Sequence, residues 1–287
     1  MNKKYFALIG HPIEHSMSPF IHKRLFELSK ICAEYEILNI PPFDLKNAFL
    51  TLKNFDGFNV TLPHKKEIIY HLNRLSNHAR LCGAVNTVKN IKNSDDICSI
   101  GYNTDSRGFI KSLKESNLPL KGRVVVLGCG GAARSMAFEL TAAGCETVIA
   151  VRPQSLSKAS LLAGDIYTNT ISPNIQTCLI SELKGHIDLL VNATPVGMYP
   201  NVKEMPIEPD ILKNCAVVYD AIYNPSETLL LKTARSLGLK TINGINMLIW
   251  QSVYSHEIWN NTYFEIDDIN QLKEDTIKKL KKQFKEA

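Results

Sequence analysis

The sequence lacks most of the features that would mark a specialised protein class. Its seven cysteines (Cys32, Cys82, Cys98, Cys129, Cys145, Cys178 and Cys215) are odd in number, scattered, and form no CxxC pair. No disulfide framework is expected, and the thiols read as reduced ones in a cytoplasm. No apolar run approaches the length needed to cross a bilayer. The run Tyr5–Ile9 behind Lys3 and Lys4 is interrupted by Gly10-His11-Pro12 before the apolar core of a secretion signal is complete, so no such signal is expected. Repeats and low-complexity tracts are absent. The formal net charge of +5 owes much to Lys278, Lys279, Lys281, Lys282 and Lys285. Ile269, Leu272, Ile277, Leu280 and Phe284 recur there at helical spacing, which predicts a last helix with a solvated lysine face and neither a nucleic-acid nor a membrane patch. With 287 residues, 45% hydrophobic and 21% charged, the chain is long enough for two globular domains.

What is present centres on Lys121–Gly144, KGRVVVLGCGGAARSMAFELTAAG. Val124–Leu127 is a continuous apolar run, as a parallel strand buried on both faces requires. In the glycine turn that follows, Gly128 allows a tight bend and Gly130 removes the side chain that would keep a pyrophosphate from the backbone. Ala133 is small enough for the next helix to pack on the strand. The free N–H groups of that helix's first turn make an anion site. A second apolar strand, Glu146–Val151, follows at crossover spacing. It ends on Arg152 with no acid to accept from a ribose 2′-hydroxyl, and Lys158 adds a second cation, so a 2′-phosphate and hence NADP is favoured over NAD. Asp188–Ala193 and Val217–Ala221 read as further parallel strands ending in polar turns, Leu229–Leu237 as a helix ended by Gly238, and Thr241-Ile242 as a last short strand. A helix opens at Gly244 and returns to the first domain.

Because the cofactor turn lies in mid-chain, the segment before it should hold the substrate. Tyr5–Ile9 and Ala33–Ile40 read as strands, Phe20–Ser29, opened by Pro19, and Phe43–Leu52 as helices, and Asn93–Asp96 as a hairpin tip. Ser16 and Ser18, just ahead of a helix, suit either a small anion or simple N-caps. His11, His15 and His22 straddle a proline loop with no carboxylate at ligand spacing, so no metal is expected. Lys65 follows a strand and a proline turn, a stiffer support than a helix surface. Leu81–Val88 carries a small-residue turn with Asn86-Thr87, Gly101–Asp105 closes this half, and Ser106–Glu115 reads as a helix.

The segments GHPIEHSMSP, NVTLPHK, GAVNT, GYNTD, GCGGAAR, NATPVGM, DAIYNPSET and GINMLIWQ occur in this order over nearly the whole chain. Together they resemble the shikimate dehydrogenase family. The resemblance implies an α/β chain with an N-terminal substrate domain (1–105, completed by 244–287) and a Rossmann-like, doubly wound NADP-binding domain (106–243), the C-terminal helices returning to the first. It implies NADP-linked, reversible reduction of 3-dehydroshikimate to shikimate by a cytoplasmic monomer or homodimer with a small-molecule substrate. Lys65 falls on the family's catalytic lysine and Asp105 on its partner. Ser16, Ser18 and Tyr223 would hold the substrate carboxylate, and Thr61, Asn86 and Gln251 the ring hydroxyls. Gly130, Gly131 and Ala132 would face the pyrophosphate, Thr194 would lie on the cofactor side, and Gly244 and Met247 would lie near the nicotinamide.

The chemistry is consistent with that set. Hydride transfer to a ketone leaves an alkoxide that must be protonated; a lysine ammonium can donate the proton and a neighbouring carboxylate can fix the ammonium. Short polar side chains suit a multiply hydroxylated acid. Three segments depart from the family pattern. NTDGxG reads NTDSRG with Ser106 and Arg107, NRT reads Val151-Arg152-Pro153, and GxGM reads Gly244-Ile245-Asn246-Met247. The last places an amide beside the nicotinamide pocket and keeps open a paralogue acting on quinate or an aminoshikimate with NAD or NADP. A non-catalytic nucleotide sensor would have little reason to keep both Lys65 and Asp105, and a folate-type dehydrogenase is disfavoured by the paired serines.

Overall fold

The structure, a computed structural model, describes residues 3–284 other than Glu14, His15, Asn93, Asp95 and Ser172. The chain divides into two compact units, Met1–Gly108 with Ile249–Lys279 and Phe109–Leu248 with Leu280–Ala287.

The first unit begins β1 (Lys4–Gly10), α1 (Ser18–Leu28), β2 (Ala33–Asn39), α2 (Leu45–Leu52) and β3 (Gly57–Val60). It continues β4 (Arg74–Leu75), α3 (Asn77–Cys82), β5 (Thr87–Lys92), β6 (Ile97–Tyr102) and α4 (Thr104–Glu115). The sheet order is β2-β1-β3-β5-β6-β4. β1 runs parallel to both β2 and β3, whereas β5 is antiparallel to β3 and β6. Pro19 sits in the first turn of α1, where its missing N–H costs no helical bond. Ala7, Ile9, Phe49, Leu52, Phe58, Val85 and Val88 share one core, each large side chain that is fully buried being worth roughly 1.5–3 kcal/mol over an exposed one.

The second unit carries β7 (Arg123–Leu127), α5 (Gly131–Ala142), β8 (Glu146–Val151), α6 (Leu156–Thr168), β9 (Ile175–Leu179) and β10 (Ile187–Asn192). α7 (Pro209–Leu212), β11 (Cys215–Asp220), α8 (Leu229–Ser236) and β12 (Lys240–Ile242) complete it, before α9 (Ile245–Asn260) and α10 (Ile266–Phe284). Its strands are all parallel in the order β12-β11-β10-β7-β8-β9. That is the doubly wound dinucleotide order, with its reversal between β7 and β10, beyond whose carboxyl ends such sheets bind ligands. Val124–Leu127 is buried throughout, as a strand covered on both faces must be. The α/β class is therefore the one expected.

Some local readings change. The helix expected over Phe43–Leu52 is a 3-10 turn, Pro42–Asp44, followed by the shorter α2, because proline at the start supports the tighter turn. The turn read at Leu81–Val88 begins inside α3, which Ser76 caps through Ala79 N–H and Gly83 ends in the left-handed region at φ 61°. The hairpin tip at 93–96 is flanked by the antiparallel pair β5 and β6, but Asn93 and Asp95 lie outside the described residues. β4 and β9 had no strong sequence signal. On α10, Ile269, Leu272 and Leu280 are buried while Lys279, Lys281 and Lys282 are exposed. No helix among the described residues is long and apolar enough to cross a membrane.

Candidate active site

Lys65 is held by a loop fastened at every step. Thr61 N–H donates to Ile9 O at 2.9 Å, and Leu62 O accepts from His11 N–H at 2.9 Å. Buried His64 donates through Nε2 to Ile40 O at 2.6 Å, and Lys65 O accepts Val85 N–H at 2.8 Å. The lysine carbonyl is thereby tied to Val85, and its side chain is only 13% exposed. Its Nζ lies 2.6 Å from Asp105 Oδ2, on a carboxylate 9% exposed. Asp105 stands in the first turn of α4, where the helix dipole favours a negative charge. Asn103 caps that helix, accepting Ser106 N–H at 3.1 Å while its amide donates to Ala84 O at 3.1 Å.

Asn86 joins the same helix start. Its Oδ1 accepts Thr104 N–H at 2.7 Å, and its Nδ2 lies 2.9 Å from Thr104 Oγ1 and 3.4 Å from Gln251 Oε1. The structure thus brings together Lys65 with Asp105, and Asn86 with Gln251. Gln251 comes from α9, whose far end is fixed in this unit by Trp259, stacked on Phe6 and donating to Val88 O at 2.8 Å. Thr61 is half-buried and directly follows β3.

Of the two readings of the paired serines, the cap reading does not hold. The cap position of α1 is Met17, with no side-chain cap bond, so neither serine is the N-cap. Ser16 Oγ accepts Ser18 N–H at 3.2 Å, Ser18 is buried, and the Tyr35 hydroxyl, whose pKa burial pushes well up, donates to Asn59 Oδ1 at 2.8 Å. Of the three histidines, His11 Nδ1 lies 2.9 Å from Asn39 Oδ1 and His15 falls outside the described residues. His22 is buried and stacked 4.4 Å from Tyr35, and burial holds its pKa well below the usual range.

In the second unit, β7 is followed by Gly128, which has φ 103°, a backbone that favours glycine. Gly130 is the cap position of α5 and has no side-chain cap bond; a Cβ there would meet nothing within 4 Å. The N–H groups of Gly131, Ala132 and Ala133 have no partner within the helix, as at any helix start. Across the reversal, Thr194 approaches the turn, since a Cβ on Gly128 would lie 2.9 Å from its Cγ2. Asn192 holds Thr194 by accepting its N–H at 3.0 Å and its hydroxyl at 2.7 Å. The Asn192 amide donates to buried Asp220 Oδ1 at 3.0 Å, and Asp220 also accepts from Thr228 and from Ile222 N–H. Burial pushes the Asp220 carboxyl up to about 6. These bonds order the loop that carries Tyr223, which belongs to this unit.

Arg152 is exposed directly after β8, without an ion-pair partner among the described residues, and Lys158 is exposed in the first turn of α6. Val151 is buried, so its side chain faces the core. Arg134 of the glycine-turn motif is paired to Asp165 at 2.6 Å. Gly244 packs so tightly on Ala221 that any Cβ would meet the Ala221 carbonyl oxygen, and Met247 is buried in the first turns of α9. Asn59, Thr87, Thr104 and Ser255 were not singled out by sequence as parts of this site. Asn59 and Thr104 stand inside the quoted segments NVTLPHK and GYNTD, but Ser255 carries no sequence signal.

The profile described as "Shikimate dehydrogenase substrate binding domain" matches residues 8–88. A protein named shikimate dehydrogenase (NADP(+)) from Caldanaerobacter subterraneus subsp. tengcongensis is 40% identical over 269 residues, covering 92% of this chain and 94% of that protein. A crystal structure of a shikimate dehydrogenase in complex with NADP+ superposes with a TM-score of 0.85 at 38% identity, covering 96% of each chain. The Thermus thermophilus enzyme in complex with NADP(H) and shikimate gives 0.83 at 31% identity, covering 95% of this chain and 99% of that one.

Proposed function

The chain belongs to the shikimate dehydrogenase family, and on that premise we propose that it catalyses the reversible reduction of 3-dehydroshikimate to shikimate with NADPH. The observation that carries this reading is the largely buried Lys65–Asp105 pair, 2.6 Å apart. As the substrate carbonyl is reduced, charge develops on its oxygen and calls for a proton at that point. Lys65 Nζ donates it, and Asp105 holds the ammonium in one orientation. In the oxidative direction the same nitrogen accepts the hydroxyl proton. Thr61, Asn86 and Gln251 take ring hydroxyls, and Ser16 and Ser18 take the carboxylate. A site built for hydroxyls discriminates strongly against analogues that lack one.

NADPH supplies the hydride when bound, and the residues of the second unit fit it. Gly130 leaves the turn open, the first N–H groups of α5 suit a pyrophosphate, and Arg152 is unpaired among the described residues and can grip a 2′-phosphate through two N–H groups. We assign substrate binding and proton transfer to the first unit and dinucleotide binding to the second. The enzyme is assigned to the cytoplasm as a monomer or homodimer acting on small molecules alone. The test is the initial rate of purified protein with shikimate and quinate, each against NADP and NAD. Shikimate with NADP is expected to have the highest kcat/KM; a higher value for quinate, or for NAD, overturns the corresponding half of the reading.

A further inference from the structure

We infer that Ser255 is a positioning residue for substrate recognition, its buried hydroxyl tying α9 to the start of α4 so that Asn86 and Gln251 are held in one arrangement. The inference rests on the reaction proposed above. Ser255 Oγ lies 2.7 Å from Thr87 Oγ1, 3.1 Å from Thr104 Oγ1, 3.0 Å from Asn59 Nδ2 and 2.9 Å from Gln251 O. Thr87 Oγ1 and Thr104 Oγ1 are themselves 3.1 Å apart, so three hydroxyls from β5, α4 and α9 close a triangle. All three residues are fully buried, and no water is needed to satisfy them.

Proton accounting gives the group a direction. A hydroxyl donates once and accepts twice, an amide nitrogen only donates and a carbonyl only accepts. Ser255 donates to Gln251 O, so at the 2.7 Å contact Thr87 donates to Ser255; Asn86 Nδ2 donates to Thr104 Oγ1 at 2.9 Å, and the one Thr104 proton is shared among Thr87, Ser255 and Asn86 Oδ1. Asn59 Nδ2 donates its two protons among Ser255, Thr87 and the Asn86 carbonyl, at 3.0, 3.1 and 3.2 Å. The group therefore links the Asn86 amide to the carbonyl of Gln251 through Ser255, with Thr87 and Thr104 also 3.2 and 3.1 Å from Asn86 Oδ1. It keeps Asn86 Oδ1 on Thr104 N–H and leaves the second Nδ2 proton with only a long 3.4 Å contact to Gln251 Oε1, available to a substrate hydroxyl. Without the Ser255 hydroxyl, Thr87 loses its 2.7 Å acceptor and turns to Asn86 Oδ1 at 3.2 Å, and the tie between the Asn86 amide and α9 through this group is lost.

The experiment is steady-state kinetics of the full chain, varying shikimate and NADP separately, for wild type, Ser255→Ala, Ser255→Thr and Thr87→Val. Ser255→Ala is expected to raise the shikimate KM by about tenfold, the scale of one neutral hydrogen bond, with the NADP KM within about twofold of wild type. Ser255→Thr keeps a hydroxyl able to reach the carbonyl one turn back and is expected to restore the shikimate KM. Thr87→Val keeps the shape, interrupts the chain and is expected to raise the same KM. An unchanged shikimate KM in Ser255→Ala, an equal rise in both KM values, or a loss in Ser255→Thr matching that in Ser255→Ala overturns the inference. If Ser255→Ala does not fold, Thr87→Val decides, and a wild-type shikimate KM there overturns it. A wild type that does not oxidise shikimate with NADP overturns the reaction and this inference together; an active wild type with indifferent variants overturns this inference alone.

Discussion

Lys65 and Asp105 are 40 residues apart in the chain, yet Lys65 Nζ lies 2.6 Å from Asp105 Oδ2 with both side chains largely shielded from water. An exposed pair at that distance would be worth little, but a shielded one fixes the lysine in one orientation. Lys65→Ala is expected to lower kcat by roughly 10²–10⁴ with the shikimate KM within a few-fold, because the ammonium acts mainly in the transition state. Asp105→Asn should also lose much of the rate, and the double variant far less than the product of the two. Near-normal kcat in Lys65→Ala, or fully multiplicative losses, would exclude this pairing.

Gly130 and Gly244 are glycines for opposite reasons, and alanine separates them. At Gly130 the added methyl meets nothing within 4 Å, so folding is unaffected while the space for a pyrophosphate is lost. Gly130→Ala is expected to keep the wild-type Tm and raise the NADP KM. At Gly244 the methyl runs into the Ala221 carbonyl, a backbone atom that cannot swing away. Gly244→Ala is expected to cost at least about 2 kcal/mol of stability. Thermal melts and cofactor titrations of both variants check the contrast, and the reverse pattern would refute it.

For Arg152, the expected result is selective. Arg152→Ala should raise the NADP KM roughly ten- to a hundredfold, as for losing hydrogen bonds to a charged group, and leave the NAD KM nearly unchanged. An equal loss for both cofactors would mean that the arginine does not read the 2′-phosphate.

Acidity acts on the two units in opposite senses. Burial raises the Asp220 carboxyl from 3.8 to about 6. Below about pH 4 it is protonated whether folded or unfolded and costs nothing; as pH rises through 6 the folded chain must ionise it, and stability falls by about 3 kcal/mol. His256 is lowered from 6.5 to about 3 by burial and then by the charge of Lys4. Its contribution is fully present above 6.5 and is lost as pH falls towards 3. Asp220→Asn should therefore gain Tm relative to wild type as pH is raised from about 4 to about 7. A constant offset between the two melting curves would show that Asp220 does not titrate in this window.

The sequence alone determined the elements whose signals are local. Val124–Leu127, the glycine turn and Glu146–Val151 were legible because a strand buried on both faces is apolar throughout and a phosphate-binding turn needs glycine at fixed offsets. The ordered segments around Lys65, Asp105 and Asn86 were legible as a family resemblance, and Arg152 as a cation where an acid is otherwise needed. Tertiary structure decided the rest. β4 is two residues long and β9 half-buried, so pairing with neighbours, not their own pattern, makes them strands. Ser16 and Ser18 read equally as caps or anion ligands until Met17 took the cap position. Ser255 is one serine among ordinary helix residues, and its part in the triangle exists only where α9 crosses the ends of β5 and α4. A hydroxyl has no periodicity to betray it; its worth depends on which three partners lie within about 3 Å, and those come from segments that only folding brings together.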